Sequence, residues 1–123
     1  MKKITQLLNE RAPVLKRGVL TKQGEKASGK IESRYVVLTP REVKYWHDEP
    51  ESVLGAGPLA EIPLKYISNV MSAQRMKSTS DFFITAGHWR KKGEQREMRE
   101  FVFGADSDSE RDAWITAILF LRA

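Results

Sequence analysis

The order of the structural patterns along the chain restricts the possible fold more than any other feature. Seven short β-type runs follow one another with no helical pattern between them, and one amphipathic helical pattern closes the chain. This order is typical of an antiparallel sandwich or barrel rather than of a parallel sheet. We therefore predict a mainly β domain in which one C-terminal α-helix covers an end or an edge.

The strand predictions rest on runs of β-branched and aromatic residues between turn signals. Pro40 turns the chain between the second and third runs, so these two form a hairpin. Gly-, Pro- or charge-rich loops are expected at 23–32, 48–58 and 90–97. The predicted strands span residues 14–22, 33–39, 43–47, 59–64, 66–74, 81–89 and 98–105.

The closing helix has recognisable start and core signals. Ser107 and Glu110 have the spacing of a capping box, in which each side chain satisfies a free backbone N–H at the helix start. Trp114, Ile118 and Leu121 recur at helical spacing and form an apolar stripe.

Length and composition indicate one domain. The chain has 123 residues, no cysteine and no apolar run long enough to span a bilayer, so we expect a cytoplasmic protein. Its net charge of +5 favours attraction to anionic surfaces. Residues 1–13 form an N-terminal extension with a short helical pattern at 2–11, and the domain occupies residues 14–122.

Several short motifs, in order, resemble the pleckstrin homology (PH) domain family. They are "GVLTKQG" (18–24), "RYVVL" (34–38), "VKYW" (43–46), "IPL" (62–64) and Trp114 in the closing helix. The resemblance implies a PH-like barrel or sandwich of seven antiparallel strands, with the helix plugging one end. The other end would be ringed by the β1–β2, β3–β4 and β6–β7 loops. Many family members bind phosphoinositide headgroups there, and many others bind proteins.

Three polar side chains, Lys22, Arg34 and Tyr45, fall on strand positions that face the core. Alternation along a strand places them on the same faces as Leu20, Val36 and Val43. Because an unpaired buried charge is costly, these positions are expected to line a solvent-open mouth, where a phosphate would receive charge-assisted hydrogen bonds. The resemblance implies the same role, since the matching family positions hold headgroup phosphates.

Neighbouring charges modify this candidate headgroup site. Lys30, Lys91 and Lys92 lie in two basic loops and are predicted to give electrostatic support. Glu32 stands where the family's headgroup signature has a basic residue, and the β3–β4 loop carries three acids, which would repel phosphates if they faced the mouth. Weak or poorly selective binding is therefore expected. The three acids are Asp48, Glu49 and Glu51.

Two other interpretations stay open. Lys22 and Arg34 could extend to water, or Arg34 could pair with a carboxylate and hold the hairpin together. The domain could also be a protein-interaction module that uses an edge strand or the groove beside the helix. Ile115, Leu119 and Phe120 widen the apolar surface of the helix; burial is the simpler expectation, and exposure would favour a protein partner.

Catalysis and nucleic-acid binding are not expected. The chain has two histidines without a second ligand at metal spacing, no cysteine and no glycine-rich phosphate loop, so we predict no enzyme activity, cofactor or metal. The strand aromatics are expected to fill the core rather than stack on bases: Tyr35, Phe82, Phe83, Phe101 and Phe103. We thus predict a non-catalytic module that binds phosphoinositides and recruits its protein to the membrane.

Overall fold

A computed structural model describes residues 13–24, 30–74, 76, 79–88 and 97–122. The helical pattern predicted at 2–11 lies outside these residues. A 3-10 turn, Leu64–Tyr66, follows the fourth strand. The other elements are β1 (Lys16–Gln23), β2 (Ile31–Leu38), β3 (Glu42–Trp46), α1 (Glu49–Val53), β4 (Ala60–Pro63), β5 (Ile67–Ala73), β6 (Ser80–His88), β7 (Glu97–Ala105) and α2 (Asp108–Arg122).

The seven strands form one antiparallel sheet in the order β4-β3-β2-β1-β7-β6-β5. The two edge strands, β4 and β5, are not neighbours in this sheet, so it is not closed. Helix α2 packs against β5, β6 and β7. The predicted class, a seven-stranded antiparallel PH-like fold with one C-terminal helix, is confirmed.

The core lies between the inner face of the sheet and α2. Alternate residues of each strand point inward, as the period-2 pattern requires. Trp114 and Ile118 come from the helix, which places the predicted apolar stripe against the strands. The largest fully buried side chains are Trp114, Phe82, Phe103, Leu38, Ile62, Ile84 and Ile118.

A second, smaller apolar cluster lies on the outer face of β2 and β3. Tyr35, Val37 and Trp46 are buried there, and the Trp46 Nε1–H donates to the carbonyl of Ala56 at 2.7 Å. The connection between β3 and β4 therefore folds back over this face. Tyr35 is buried as expected, but outside the main core. Phe83 is only half-buried, so the expectation that it fills the core is wrong.

The β3–β4 connection, expected to be a loop, contains the short helix α1. Asp48 caps it, because its Oδ1 accepts a hydrogen bond from the Glu51 N–H at 3.0 Å. Pro50 stands at the first turn, where its missing N–H costs nothing. These two local signals explain a helical turn within a segment rich in loop residues.

Helix α2 begins with one half of the predicted capping box. The Ser107 hydroxyl accepts a hydrogen bond from the Glu110 N–H at 3.1 Å. The Glu110 carboxylate forms an ion pair with Lys16 Nζ at 3.0 Å and so ties the helix start to β1. The N-terminal end of the helix is thereby held against the sheet.

Gly104 marks a close approach on the outer face of β7. A Cβ at this position would lie less than 3 Å from the side chains of Thr79 and Thr21. Moving Thr79 away would break a hydrogen bond, because its hydroxyl donates to the buried carboxylate of Asp81 at 2.6 Å. Only glycine fits here without displacing these groups.

We expect Gly104→Ala to destabilise the fold by about 2 kcal/mol, the usual cost of overpacking. Urea unfolding followed by circular dichroism measures this loss. Gly57→Ala is the matched control, because a Cβ at Gly57 would have no atom within 4 Å. Equal stability of the Gly104→Ala protein and the unmodified chain would show that the outer face adjusts freely.

Candidate functional site

The three predicted headgroup residues line one pocket. It lies at the end of the sheet that carries the β1–β2, β3–β4 and β6–β7 connections, called here the open end. Its volume is about 180 Å³. We call it the rim pocket, and it is lined by Lys22, Gly24, Lys30, Glu32, Arg34, Tyr45 and Leu59.

Strand register explains why these side chains meet. Leu20 pairs with Arg34 and Lys22 with Glu32 across β1 and β2. Residues directly opposite one another in an antiparallel pair project from the same face of the sheet. Tyr45 lies opposite Val36 and so joins this inner face. The polar positions come at the end of each strand that is nearest the open end, where the apolar core stops.

Lys22 lines the rim pocket but is largely buried, with only 8% of its surface exposed. Its ammonium group donates to the Gln23 carbonyl at 3.2 Å. It also lies 5.4 Å from the ring centre of Tyr45 and 5.8 Å from that of Phe101. Cation–π attraction to both rings therefore helps to keep the positive charge at the inner wall of the rim pocket.

Arg34 is paired with a carboxylate, as one interpretation of the sequence supposed, but the partner is Glu32 of the same strand, so the pair does not hold the hairpin together. Its Nη2 lies 2.8 Å from Glu32 Oε2, and its Nη1 donates to the Ser33 carbonyl at 2.8 Å. Glu32 also pairs with Lys30, whose Nζ lies 3.3 Å from Oε1. Hydrogen bonds from Arg34 and then Lys30, reinforced by their charges, hold the pKa of Glu32 below its ordinary value. Glu32 is therefore ionised at neutral pH.

A further cation, Arg99, was not among the predicted site residues. It lies on β7 with the same parity as Phe101 and Phe103, and its Cζ is 4.3 Å from the ring centre of Phe101. Lys22 contacts the same ring, so Arg99 adds positive charge close to the rim pocket. Strand alternation could have predicted that Arg99 faces inward, because the inward-facing Phe101 and Phe103 follow it by two and four residues.

The structure describes only one of the three lysines that were predicted to give electrostatic support. The side chain of Lys30 is 81% exposed and lines the rim pocket through its pair with Glu32. Lys91 and Lys92 lie outside the described residues. The acids of the β3–β4 connection surround the start of α1, and none is among the described residues that line the rim pocket. Their expected repulsion of a bound phosphate is correspondingly reduced.

A larger pocket of about 570 Å³ lies at the far end of the hairpin formed by β2 and β3. Sequence patterns did not indicate it, because it forms between a turn, a 3-10 segment and the last turn of α2. Arg122 donates from its guanidinium to the carbonyls of Ile67 and Ser68, which fixes the helix end beside β5. The lining residues are Pro40, Arg41, Glu42, Pro63, Leu64, Lys65, Leu121 and Arg122.

In residues 13–24, 30–74, 76, 79–88 and 97–122, no group of three His, Cys, Asp or Glu side chains is placed to hold a metal ion. Within the same ranges, no helix combines the length and the apolar character needed to cross a bilayer.

Sequence comparison identifies the family. The family model described as PH domain matches residues 14–121. The chain belongs to the PH domain family. Its PH domain is 32% identical, over 111 residues, to pleckstrin homology domain-containing family A member 6 from Homo sapiens and from Mus musculus. The match covers 89% of this chain but only 9% and 8% of those proteins, respectively.

Solved structures show the same fold. The C-terminal PH domain of pleckstrin, in complex with D-myo-Ins(1,2,3,5,6)P5, is 24% identical with a TM-score of 0.67; 91% of this chain and 98% of that chain are covered. The Slm1 PH domain in complex with inositol-4-phosphate is 20% identical with a TM-score of 0.64, and 89% and 96% are covered. At these identities the similarity shows the fold alone.

Proposed function

We propose that this PH domain is a non-catalytic module that binds the phosphorylated headgroups of anionic lipids and so recruits its protein to the membrane. The observation that supports this proposal is the rim pocket, where Lys22, Arg34 and Tyr45 line one opening. An ammonium, a guanidinium and a phenol are groups that can all donate hydrogen bonds to phosphate oxygens. Arg99 would strengthen the attraction through its charge.

Binding at this site would be of moderate strength. Arg34 already holds Glu32, so a phosphate must compete with this carboxylate for the guanidinium. Part of the interaction energy is then used to break the existing ion pair. General attraction adds to the specific contacts, because each basic residue near an anionic leaflet contributes about 1 kcal/mol.

The comparisons support the chemical class of the ligand. The pleckstrin and Slm1 PH domains were solved with inositol phosphates, and another Slm1 structure contains phosphoserine. All these ligands carry phosphate monoesters, which match the cations of the rim pocket in charge. A phosphoinositide headgroup combines this chemistry with a membrane surface.

Vesicle sedimentation tests the proposal directly. We expect the 123-residue chain to sediment with vesicles that contain phosphatidylinositol 4-phosphate, and to bind less to vesicles of phosphatidylcholine alone. The bound fraction should fall as salt rises, because the interaction is largely electrostatic. A chain that stays in the supernatant with every phosphoinositide at low salt would reject lipid binding.

Protein binding is the second candidate function, and it is favoured by the exposure of Phe120. This side chain is 79% exposed on α2, which contradicts the expectation that it is buried. Leu119 and Ile115 pack partly against the core and so contribute less to an outer surface. Phenylalanine, like other aromatic residues, is enriched in protein–protein interfaces relative to the rest of the surface.

We expect Phe120→Ser to leave the free energy of unfolding unchanged to within about 0.5 kcal/mol, because an exposed side chain loses little on replacement. Chemical denaturation measures this. Ile118→Ser, two residues earlier on the other side of the helix, is the matched control; Ile118 is fully buried, so its replacement should be strongly destabilising. A large loss of stability in Phe120→Ser would show that Phe120 packs within this chain and is not available to a partner.

A further inference from the structure

The larger pocket, of about 570 Å³, lies at the end of the sheet opposite the rim pocket, and we call it the far-end pocket. Its volume falls within the range of about 300–1,000 Å³ that is usual for ligand sites. The apolar part of its lining comes from Pro40, Pro63, Leu64 and Leu121. Leu64 is buried, and Leu121 packs partly against the core. The far-end pocket therefore offers a fixed apolar surface to a ligand side chain.

Hydrogen bonds hold the walls of the far-end pocket in place. The Leu64 N–H donates to the carbonyl of Arg41 at 2.9 Å, which joins the 3-10 turn to the turn between β2 and β3. Within that second turn, the Thr39 hydroxyl accepts hydrogen bonds from the N–H groups of Arg41 and Glu42, both at 3.2 Å. A site that is already formed loses less conformational entropy when a ligand binds.

The charges around the far-end pocket favour an anionic ligand. Arg41, Lys65 and Arg122 are cationic, and Glu42 is the acid among the described lining residues. The Glu42 carboxylate lies 3.6 Å from Nζ of Lys44, which is not in that set, so its charge is already partly balanced. Positive charge is therefore in excess in the far-end pocket, which attracts anions.

Two of these cations, Lys65 and Arg122, are exposed and able to contact a ligand directly. The Lys65 ammonium lies 5.1 Å from the ring centre of Tyr66, which helps to orient it. In the described part of the chain, Arg122 uses Nη1 for both of its hydrogen bonds, so Nε and Nη2 remain able to donate. Such N–H groups form a planar fork that matches the two oxygens of a carboxylate.

The position of the far-end pocket favours a protein ligand over a bilayer. Pro40 follows Arg34 by six residues along β2 and its turn, a distance of roughly 20 Å. The headgroup layer of one leaflet is only about 5–8 Å thick. When a headgroup occupies the rim pocket, the far-end pocket therefore lies outside this layer.

We propose that the far-end pocket binds a short acidic peptide of a partner protein, with a carboxylate on Lys65 and Arg122 and an apolar side chain against Leu64 and Leu121. The choice of a peptide over a membrane rests on the lipid-binding function proposed above. A peptide at this end leaves the rim pocket open, so the domain can hold a membrane and a partner at the same time. Phe120 is not among the described lining residues, so this site is separate from the Phe120 surface.

NMR titration of the isotope-labelled chain tests this inference without any lipid. The probe is the synthetic peptide acetyl-Gly-Glu-Leu-Glu-Leu-Gly-amide. We expect saturable shifts of the backbone amide signals of Arg41, Leu64, Lys65 and Arg122, with an apparent Kd of about 0.1–1 mM for so few contacts. A peptide with Gln in place of Glu, and one with Ser in place of Leu, should each bind at least about fivefold more weakly.

Three variants locate the binding. Lys65→Gln should weaken the acidic peptide about fivefold, and Arg122→Gln about tenfold, because charged hydrogen bonds to the carboxylate are lost. Arg17→Gln is the matched control, since Arg17 is an exposed cation on β1 that is not among the described lining residues; its loss should be less than about twofold. Arg122 also anchors the helix end, so thermal unfolding checks its variant, and the exposed Lys65 carries the test independently.

The outcomes separate this inference from lipid binding. Absence of saturable shifts, or shifts centred on Lys22 and Arg34, would overturn the peptide site whatever the vesicle assay shows. Equal losses in Lys65→Gln and Arg17→Gln would reduce the effect to general charge attraction and overturn it as well. If Lys65→Gln weakens vesicle sedimentation as much as peptide binding, the far-end pocket faces the membrane and the peptide assignment is wrong. Peptide binding as expected, in a chain that sediments with no vesicle, would reject the lipid function alone.

Discussion

Replacing Lys22 by Met and Arg34 by Gln together is expected to weaken phosphoinositide binding about 100-fold, because two charge-assisted hydrogen bonds to phosphate are lost. Met is chosen because the aliphatic part of Lys22 is buried, and a methionine fills that space. Gln keeps part of the bulk of Arg34. Vesicle sedimentation at low salt gives the apparent affinity, and thermal unfolding checks that the fold is retained.

The control for this double variant is Arg17→Gln with Lys44→Met, which removes the same charge. Arg17 is exposed on β1, and Lys44 lies on the outer face of β3 over the ring of Trp46. We expect this control to lose no more than the general attraction of two surface cations, about thirtyfold at low salt. A loss equal to that of the first variant would show that binding depends on net charge rather than on the rim pocket.

Trp114→Ala is expected to cost about 3–5 kcal/mol of the free energy of unfolding, the range for deleting a large buried aromatic side chain. Trp114 is fully buried in α2, and its ring lies 5.0 Å from Lys16 Nζ on β1. The substitution opens a cavity between the helix and the sheet. Because small domains have only about 5–15 kcal/mol of stability, the protein should unfold at much lower urea concentration.

Trp114→Phe separates ring packing from hydrogen bonding. The Trp114 Nε1 is buried and has no hydrogen-bond partner in the described part of the chain. Phe removes this unsatisfied N–H while it keeps most of the apolar contact, so we expect a loss of less than about 2 kcal/mol. A loss as large as that of Trp114→Ala would mean that the indole N–H makes a stabilising bond.

The inward positions of Lys22, Arg34 and Tyr45 were predictable because strand alternation depends only on spacing. The same rule applied to Arg99 and Glu32 would have placed both on the inner face, since they share parity with Phe101 and Arg34 respectively. The pairing of Arg34 with Glu32 was one of the alternatives that the sequence allowed. Which alternative holds depends on side-chain positions at the open end, and spacing does not specify these.

Other differences arose where contacts between distant segments decide the outcome. The β3–β4 connection folds over Trp46, so an apparent loop carries the helix α1 and covers a second apolar cluster. Phe120 widens the apolar surface of α2, but it lies nearly opposite Ile118 on the helix and is exposed, because the sheet covers only one side of the helix. Hydrophobicity alone does not distinguish a residue that meets a neighbour from one that meets water.

By itself, the sequence determined the seven antiparallel strands, the closing helix and the inward positions of Lys22, Arg34 and Tyr45. These features depend on local periodicity, turn residues and caps. The tertiary structure decided how deeply Lys22 is buried, that Glu32 holds Arg34 and Lys30, and where the larger pocket lies. Those features depend on distances between side chains from separate strands, which are set only when the sheet curves and the helix packs against it.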